Sequence, residues 1–416
     1  IIGGVIMLTC LLAFSVMAQK FEKVNGIVDY AEACVGSKYA YYVGWFLTII
    51  YYPCLTSVLS WLSARYTLVF ITSIAPDFPL LGLGAAAGAE TVLGPECMSL
   101  AMFYMCCAYA VNALSPKLAG KLQVSTTIIK LIPLFLMAIV GIVVGIANGT
   151  LANNFNTLAD VGTTSTNPLF ASVCATAFAY EGWIIATSIN AELKDAKKNL
   201  PRALVIGAII IIATYIFYYV GVAGGATNQE LIDSGATVAF INVFGNVLGN
   251  ILNLFIAISC IGTMNGLMLG CVRGLYSIAV RGRGPAPHVF SQIDKETNMP
   301  HNSAIVGLLL CGFWGLYFFL ANLAGTWSGP FVFDSSELPI ITIYMLYLPI
   351  FVMWIKKATD ETATRRYVLP ILAICGSLFM IYASIMGHGI ACFWYLIVFA
   401  AVMAVGFAFS KEKPIN

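Results

Sequence analysis

Charge is what this chain of 416 residues has least of: 10% of its residues are charged and 60% are hydrophobic. Soluble domains carry about 25% charged residues, which excludes a chain folded wholly in water. Histidine is almost absent too. His288, His301 and His388 are the only three; they supply no ligand cluster, so no metal and no catalytic residue is expected. No CxxC occurs among the twelve cysteines. These lie mostly in apolar runs and read as small buried apolar side chains. Neither a GxxxxGK[ST] phosphate loop nor HExxH nor GxSxG is present, so nothing points to an ATP-driven pump, an enzyme or a cofactor. A net charge of +2 gives no reason to expect nucleic acid as a partner.

What is there instead is a series of apolar runs of roughly 20 residues, the length an α-helix needs to cross the hydrocarbon core. A β-barrel would show short alternating segments. The expected class is an all-α polytopic membrane protein with eleven spans: 1–19, 40–65, 98–115, 122–147, 167–190, 202–224, 247–280, 303–322, 337–355, 367–387 and 390–410. Cations set the direction. Lys20, Lys23, Lys38, Lys117, Lys121, Lys194, Lys197, Lys198 and Arg202 follow odd-numbered spans, as do Arg281, Arg283, Lys295, Lys356, Lys357, Arg365, Arg366, Lys411 and Lys413. The alternate loops hold no Lys or Arg, but they do hold Asp77, Glu90, Glu96, Asp160, Glu230, Asp233 and Asp334. The cationic side is therefore expected to be cytoplasmic, with the C-terminus there and Ile1 outside. A start inside an apolar run, without Met, is expected to reflect at least one earlier helix absent from this chain; the alternative is a genuine outside N-terminus.

Apart from Arg202, the first residue of the sixth, three cations fall within these spans. Arg65, at the expected outer end of its helix, and Arg273, near an inner end, can snorkel. Lys130 lies nine residues past Lys121, roughly 13 Å into a ~30 Å core. Its insertion there costs about 2.5–3.5 kcal/mol, which marks it as functional; otherwise it holds two helices together through backbone carbonyls. Glu181 is the one acid far from both ends of a span, thirteen residues after Pro168 and eleven before Glu192. It stands in FAYEGW, residues 178–183, beside Gly182. Glycine weakens a helix by about 1 kcal/mol, and transporter helices unwind at such sites. A break would have to line a cavity or the protein interior, its freed carbonyls suiting an ammonium or small cation, with Tyr180 and Trp183 as walls. The other reading is a continuous helix with an interior Glu–Lys pair. The next stretch, ELKDAKKNLPRA, 192–203, reads as a solvated connector with Pro201 in a first helical turn. The Gly and Pro content of residues 281–301 argues against a long helix.

These residues carry a resemblance. FAYEGW with ELKDAKKNLPRA after it resembles the sixth helix and adjoining loop of the amino acid–polyamine–organocation permeases, closest to their L-amino-acid transporter-like branch, whose usual form is FAYDGW. Here Glu181 stands where Asp is common, and Ala196 where Pro is frequent. TTIIKLIPL, 126–134, looks like that branch's fifth helix, with Lys130 on its intramembrane lysine. NGLMLGCVRGLYSIAVRGRG, 265–284, resembles the eighth helix and its exit.

The resemblance implies a LeuT-type five-plus-five inverted repeat plus two helices, with the family's first helix missing. Residues 1–147 would be the remainder of the first repeat, 167–356 the second repeat and 366–410 the last two helices. It further implies that the unwound parts of helices one and six jointly bind substrate, so that this chain as it stands would not transport normally. Lys130 would stand where sodium sits in sodium-coupled relatives. The function expected is sodium-independent exchange or proton-coupled uptake of small neutral L-amino acids across the plasma membrane, most simply a bacterial inner membrane. Phe178, Ala179, Tyr180, Glu181, Gly182, Trp183 and Asn265 would bind substrate, with Lys130 coupling. Polyamine or cationic amino acid antiport is the first alternative, since Glu181 could pair with a second amine. A channel or non-transporting membrane protein is the second, although a channel would need rings of polar residues. Beyond substrate and lipid bilayer no partner is implied, and nothing in the sequence sets an oligomeric state.

Overall fold

The computed structural model describes residues 1–21, 26–75, 78, 94–156, 167–323 and 329–414, with backbone alone at 168 and 188–192. Lys23, Asp77, Glu90 and Asp160, which bear on the orientation of the chain, lie outside the described residues, as does the side chain of Glu192.

Eleven helices among the described residues are long and apolar enough to cross a membrane: Ile2–Lys20, Ser37–Ile74, Pro95–Leu114, Pro116–Ala147, Leu169–Thr187, Ala196–Gly225, Ala236–Ala279, His301–Leu323, Leu338–Lys357, Thr364–His388 and Ile390–Ala408. They match the expected spans one for one and are numbered here from the first to the eleventh. Proline opens several of them. Pro95 and Pro116 sit in first turns, where a missing N–H is no loss. At the other extreme, a single residue, Gly389 with φ 53°, turns the tenth span into the eleventh.

Boundaries differ where periodicity has no end signal. The second span runs on to Ile74, so Arg65 is not at its outer end. Its guanidinium instead lies over the rings of Trp61 and Tyr66, at 5.5 and 5.7 Å, a cation–π arrangement in place of snorkelling. The sixth span begins at Ala196, which puts Pro201 inside the helix rather than in its first turn. The long seventh span is two helices meeting at Gly245, whose φ of 82° and ψ of 169° no helix contains. Of residues 281–301, only Pro287–Phe290 forms a helical turn before the eighth span. Cys106, Cys107 and Cys375 are exposed rather than buried.

Small residues decide which spans touch. Gly141 and Gly145 of the fourth span meet Gly221 and Gly224 of the sixth so closely that a Cβ on Gly221 would stand 2.1 Å from the Met137 carbonyl oxygen. Lipid offers apolar side chains no reason to leave it, so helices associate where backbones approach. The seventh span lies along the second in the same way, Gly270 against Tyr52 and Gly274 against Thr48. Leu118, Val124, Ile128 and Ile132 of the fourth span are exposed and form its lipid-facing side. Its opposite stripe, Thr126, Pro133 and Met137, is buried and carries Lys130 inward. The core centres on Phe14, Tyr51, Tyr347 and Phe351, from the first, second and ninth spans.

On the side where odd-numbered spans end, a short helix, Gly26–Cys34, is held to the end of the seventh span. Arg281 donates to the Asp29 carboxylate, with Glu32 at 3.5 Å. Arg283 reaches Ser37 at 3.2 Å and Glu412 at 3.2 Å. Burial raises the Cys34 thiol pKa to about 12 there, with Lys357 opposing the shift.

Candidate functional site

The fifth span is broken where FAYEGW stands. Its α-helix runs from Pro168 to Tyr180. Glu181 is extended, with φ −79° and ψ 166°, and Gly182 has φ 105°. A tighter 3-10 helix, Trp183–Glu192, then continues. An L side chain disfavours the Gly182 conformation, so the glycine sets the position of the break. An isolated helix interruption at this depth leaves backbone groups that lipid would not satisfy. One is claimed from outside: the Tyr215 hydroxyl of the sixth span donates to the Ala179 carbonyl at 3.0 Å.

The break opens on a cavity of about 570 Å³, within the range of small-molecule sites. Phe178, Ala179, Tyr180, Glu181, Gly182 and Trp183 line it, and so does Lys130. The structure thus brings seven of the eight sequence-derived residues to one cavity. No carboxylate lies within 4.0 Å of the Lys130 ammonium among the described residues. The continuous helix with an interior Glu–Lys pair is therefore not what this fold contains. Glu181 accepts instead from the Tyr51 hydroxyl.

The aromatics divide their work. The Tyr180 ring packs on Tyr215, centroids 5.2 Å apart, and against Gly4 of the first span. Trp183 packs on Phe14 at 5.7 Å and Tyr347 at 6.1 Å. Its indole N–H is buried without a hydrogen-bond partner among the described residues.

Asn265 is the exception. It is buried at 3% exposure and does not line the cavity. Its amide accepts from Asn112 at 2.8 Å and donates to the Ala119 carbonyl and Gln123 Oε1, both at 3.3 Å. That arrangement ties the third, fourth and seventh spans together. Gln123, which does line the cavity, is the nearer residue, and Asn265 fixes its amide.

Sequence reasoning passed over Gln123, Tyr215, Ser259 and Thr263, all on the lining, and over Tyr51. None is charged. The one available signal was the spacing of Ser259, Thr263 and Gly266, which puts small or polar groups on one helical stripe.

Comparison with known proteins agrees with this architecture. A family model described as amino acid permease matches residues 1–409. The serine/threonine exchanger SteT of Bacillus subtilis (strain 168) is 26% identical over 424 residues, covering 99% of this chain and 88% of its own length. The Asc-type amino acid transporter 1 of Mus musculus is 27% identical over 316 residues, 75% of this chain and 55% of its own. The cystine/glutamate transporter of Homo sapiens is 25% identical over 306 residues, 73% and 57%. The chain thus spans little more than half the length of these two mammalian relatives. All three are transporters rather than enzymes by name, and the family's LeuT-type fold fits the all-helical arrangement of eleven spans. On the family model's match over nearly its full length, the chain belongs to the amino acid permease family.

Proposed function

We propose that this protein is a sodium-independent secondary transporter of small neutral L-amino acids, working by alternating access around the cavity at the broken fifth span. One observation carries the reading. The interruption at Glu181–Gly182 and the intramembrane Lys130, read separately from the sequence, line a single cavity of about 570 Å³. A helix break at membrane depth presents backbone polar groups to a substrate, as discontinuous transporter helices do. Residues 178–183 would supply carbonyls for the substrate ammonium and aromatic walls. Gln123 and Thr263 add polar groups, with Asn265 acting through Gln123. Lys130 would supply the positive charge that sodium supplies in coupled relatives.

Exchange is the mode we favour over proton symport, because the SteT relative, alignable over 99% of this chain, is named an exchanger of serine and threonine. Residues 1–147 and 167–356 would form the two repeats, and 366–410 a final helix pair. The cationic loops after odd-numbered spans support a cytoplasmic C-terminus, and the simplest location is a plasma membrane, in a bacterium the inner one.

A second reading has its own observation. Glu181 has no cationic partner within 4.0 Å among the described residues, which leaves it able to meet a second amine and favours cationic amino acids or polyamines.

Uptake of labelled amino acids by the full-length protein in proteoliposomes separates these readings. Neutral amino acid uptake indifferent to sodium and stimulated by internal substrate is the expected result. Uptake confined to diamines or cationic amino acids would establish the second reading. A strict sodium requirement would overturn the role given to Lys130.

A further inference from the structure

We propose that Tyr51 is a positioning residue, whose hydroxyl aims the Glu181 carboxyl so that acceptor capacity stays open to a hydrogen-bond donor on the ligand. The inference rests on the reading of the cavity as the substrate site.

Tyr51 is fully buried, and its hydroxyl donates to Glu181 Oε1. A carboxylate accepts at two oxygens, whereas a tyrosine has a single O–H to give. An arginine in this place would engage both oxygens at once. Tyrosine gives one bond and the neighbouring Gly182 N–H a second; a carboxylate has about four lone-pair sites, and no Lys, Arg or His nitrogen stands within 4.0 Å of it among the described residues. The acceptor capacity that remains suits an ammonium or a side-chain hydroxyl of a small amino acid.

The backbone of the second span is shaped for this contact. Leu47–Tyr51 is a π-helical turn inside an otherwise α-helical span. Such turns insert one residue, rotate the helix beyond it, and recur at functional sites. The disturbed ladder is supported from the eighth span, where the Trp314 indole N–H donates to the Ile49 carbonyl at 2.7 Å. Leu55 and Leu59, one and two turns beyond Tyr51, both line the cavity. Tyr51 therefore ends the cavity-facing stripe of its helix, at the level of the break in the fifth span.

Packing alone would also bury this ring, which lies 5.5 Å from Tyr52 and 6.2 Å from Phe46. Phenylalanine keeps those contacts and removes only the donor. The test is a double-mutant cycle on uptake by the full-length protein, using serine and alanine as probes. Tyr51→Phe is expected to raise KM about tenfold, the size lost with a hydrogen bond to a charged group, with Vmax within about twofold. In a Glu181→Gln background the same change is expected to add nothing. Glu181→Asp, which keeps the charge but draws it back from the hydroxyl, should reproduce the Tyr51→Phe rise. A rise for serine alone assigns the open acceptor capacity to the hydroxyl; a rise for both probes assigns it to the ammonium. An unchanged KM in Tyr51→Phe, or an equal rise in both backgrounds, overturns the positioning role. If Glu181→Gln itself transports with the wild-type KM, the reading of the cavity fails instead.

Discussion

Gly182→Ala isolates the contribution of the break from every packing effect. The glycine has φ 105°, and a Cβ built on it would meet no heavy atom within 4 Å. Any effect of alanine therefore comes from backbone conformation. This φ lies beyond the left-handed well at about +50 to +70° that L residues occasionally use. Holding a side-chain-bearing residue in so sparse a region costs about 1–3 kcal/mol. The chain can accept that cost or relieve it by moving Gly182 toward helical angles, which would reorient the carbonyls at the break. In either case the open, ligand-ready geometry falls in population by about 5- to 150-fold relative to alternatives. Gly389→Ala supplies the control: Gly389 has φ 53° and equally open surroundings, far along the chain in the turn between the last two spans. With ψ −126° its backbone also lies outside the left-handed well, so alanine there carries a comparable cost of about 1–3 kcal/mol. Initial uptake rates and detergent melting temperatures are to be measured on both. Gly182→Ala should lose at least fivefold in uptake, while Gly389→Ala should melt earlier and transport at near the wild-type rate. Wild-type uptake in Gly182→Ala would refute the reasoning, since the break would then not depend on the glycine. Equal losses in the two variants would refute it as well.

The contacts on the side where odd-numbered spans end give two further expected outcomes. The Asp29 and Arg281 side chains are 1% and 9% exposed, and removing one partner of a buried pair costs about 3–5 kcal/mol. Asp29→Asn should fall at the low end because Glu32 stays 3.5 Å from Arg281; a melt unchanged from wild type would contradict this, as would a loss no greater than that of Asp360→Asn in the exposed Lys20 pair. Asp294 accepts from the Thr297 N–H at 2.8 Å, the Thr297 hydroxyl at 2.9 Å and the Glu296 N–H at 3.1 Å, which hold its pKa below the ordinary 3.8. A depressed carboxylate stabilises the fold above its unfolded pKa and loses that contribution as pH falls through the folded one. Protection of the Thr297 amide, taken relative to its intrinsic exchange rate at each pH, should therefore fall only below about pH 4, and a loss of protection near neutrality would show that another group controls the turn.

Much of the fold is written in composition. Runs of apolar residues separated by charge can satisfy their backbones in lipid only as helices, so eleven spans are expected from length and polarity without knowledge of any contact. Depth along a helix is equally legible, and it singles out Lys130 and Glu181. The glycine of FAYEGW locates the break because backbone freedom is a property of the residue itself. Side-chain direction and partner are different. Arg65 finds two rings instead of an interface because its helix continues to Ile74. Asn265 turns to Asn112 and Gln123 rather than to the cavity. Glu181 meets Tyr51, 130 positions earlier, rather than Lys130. Periodicity assigns a residue to a face of its own helix, but lipid provides no hydrophobic drive to order the helices. Which faces meet is settled by close backbone approaches such as Gly221 on Met137 and by local departures such as the π-turn at Leu47–Tyr51. The sequence by itself determined that a helix would break at Gly182 beside an intramembrane acid; only the tertiary structure decided what that acid faces, because the facing groups come from helices packed against it in space.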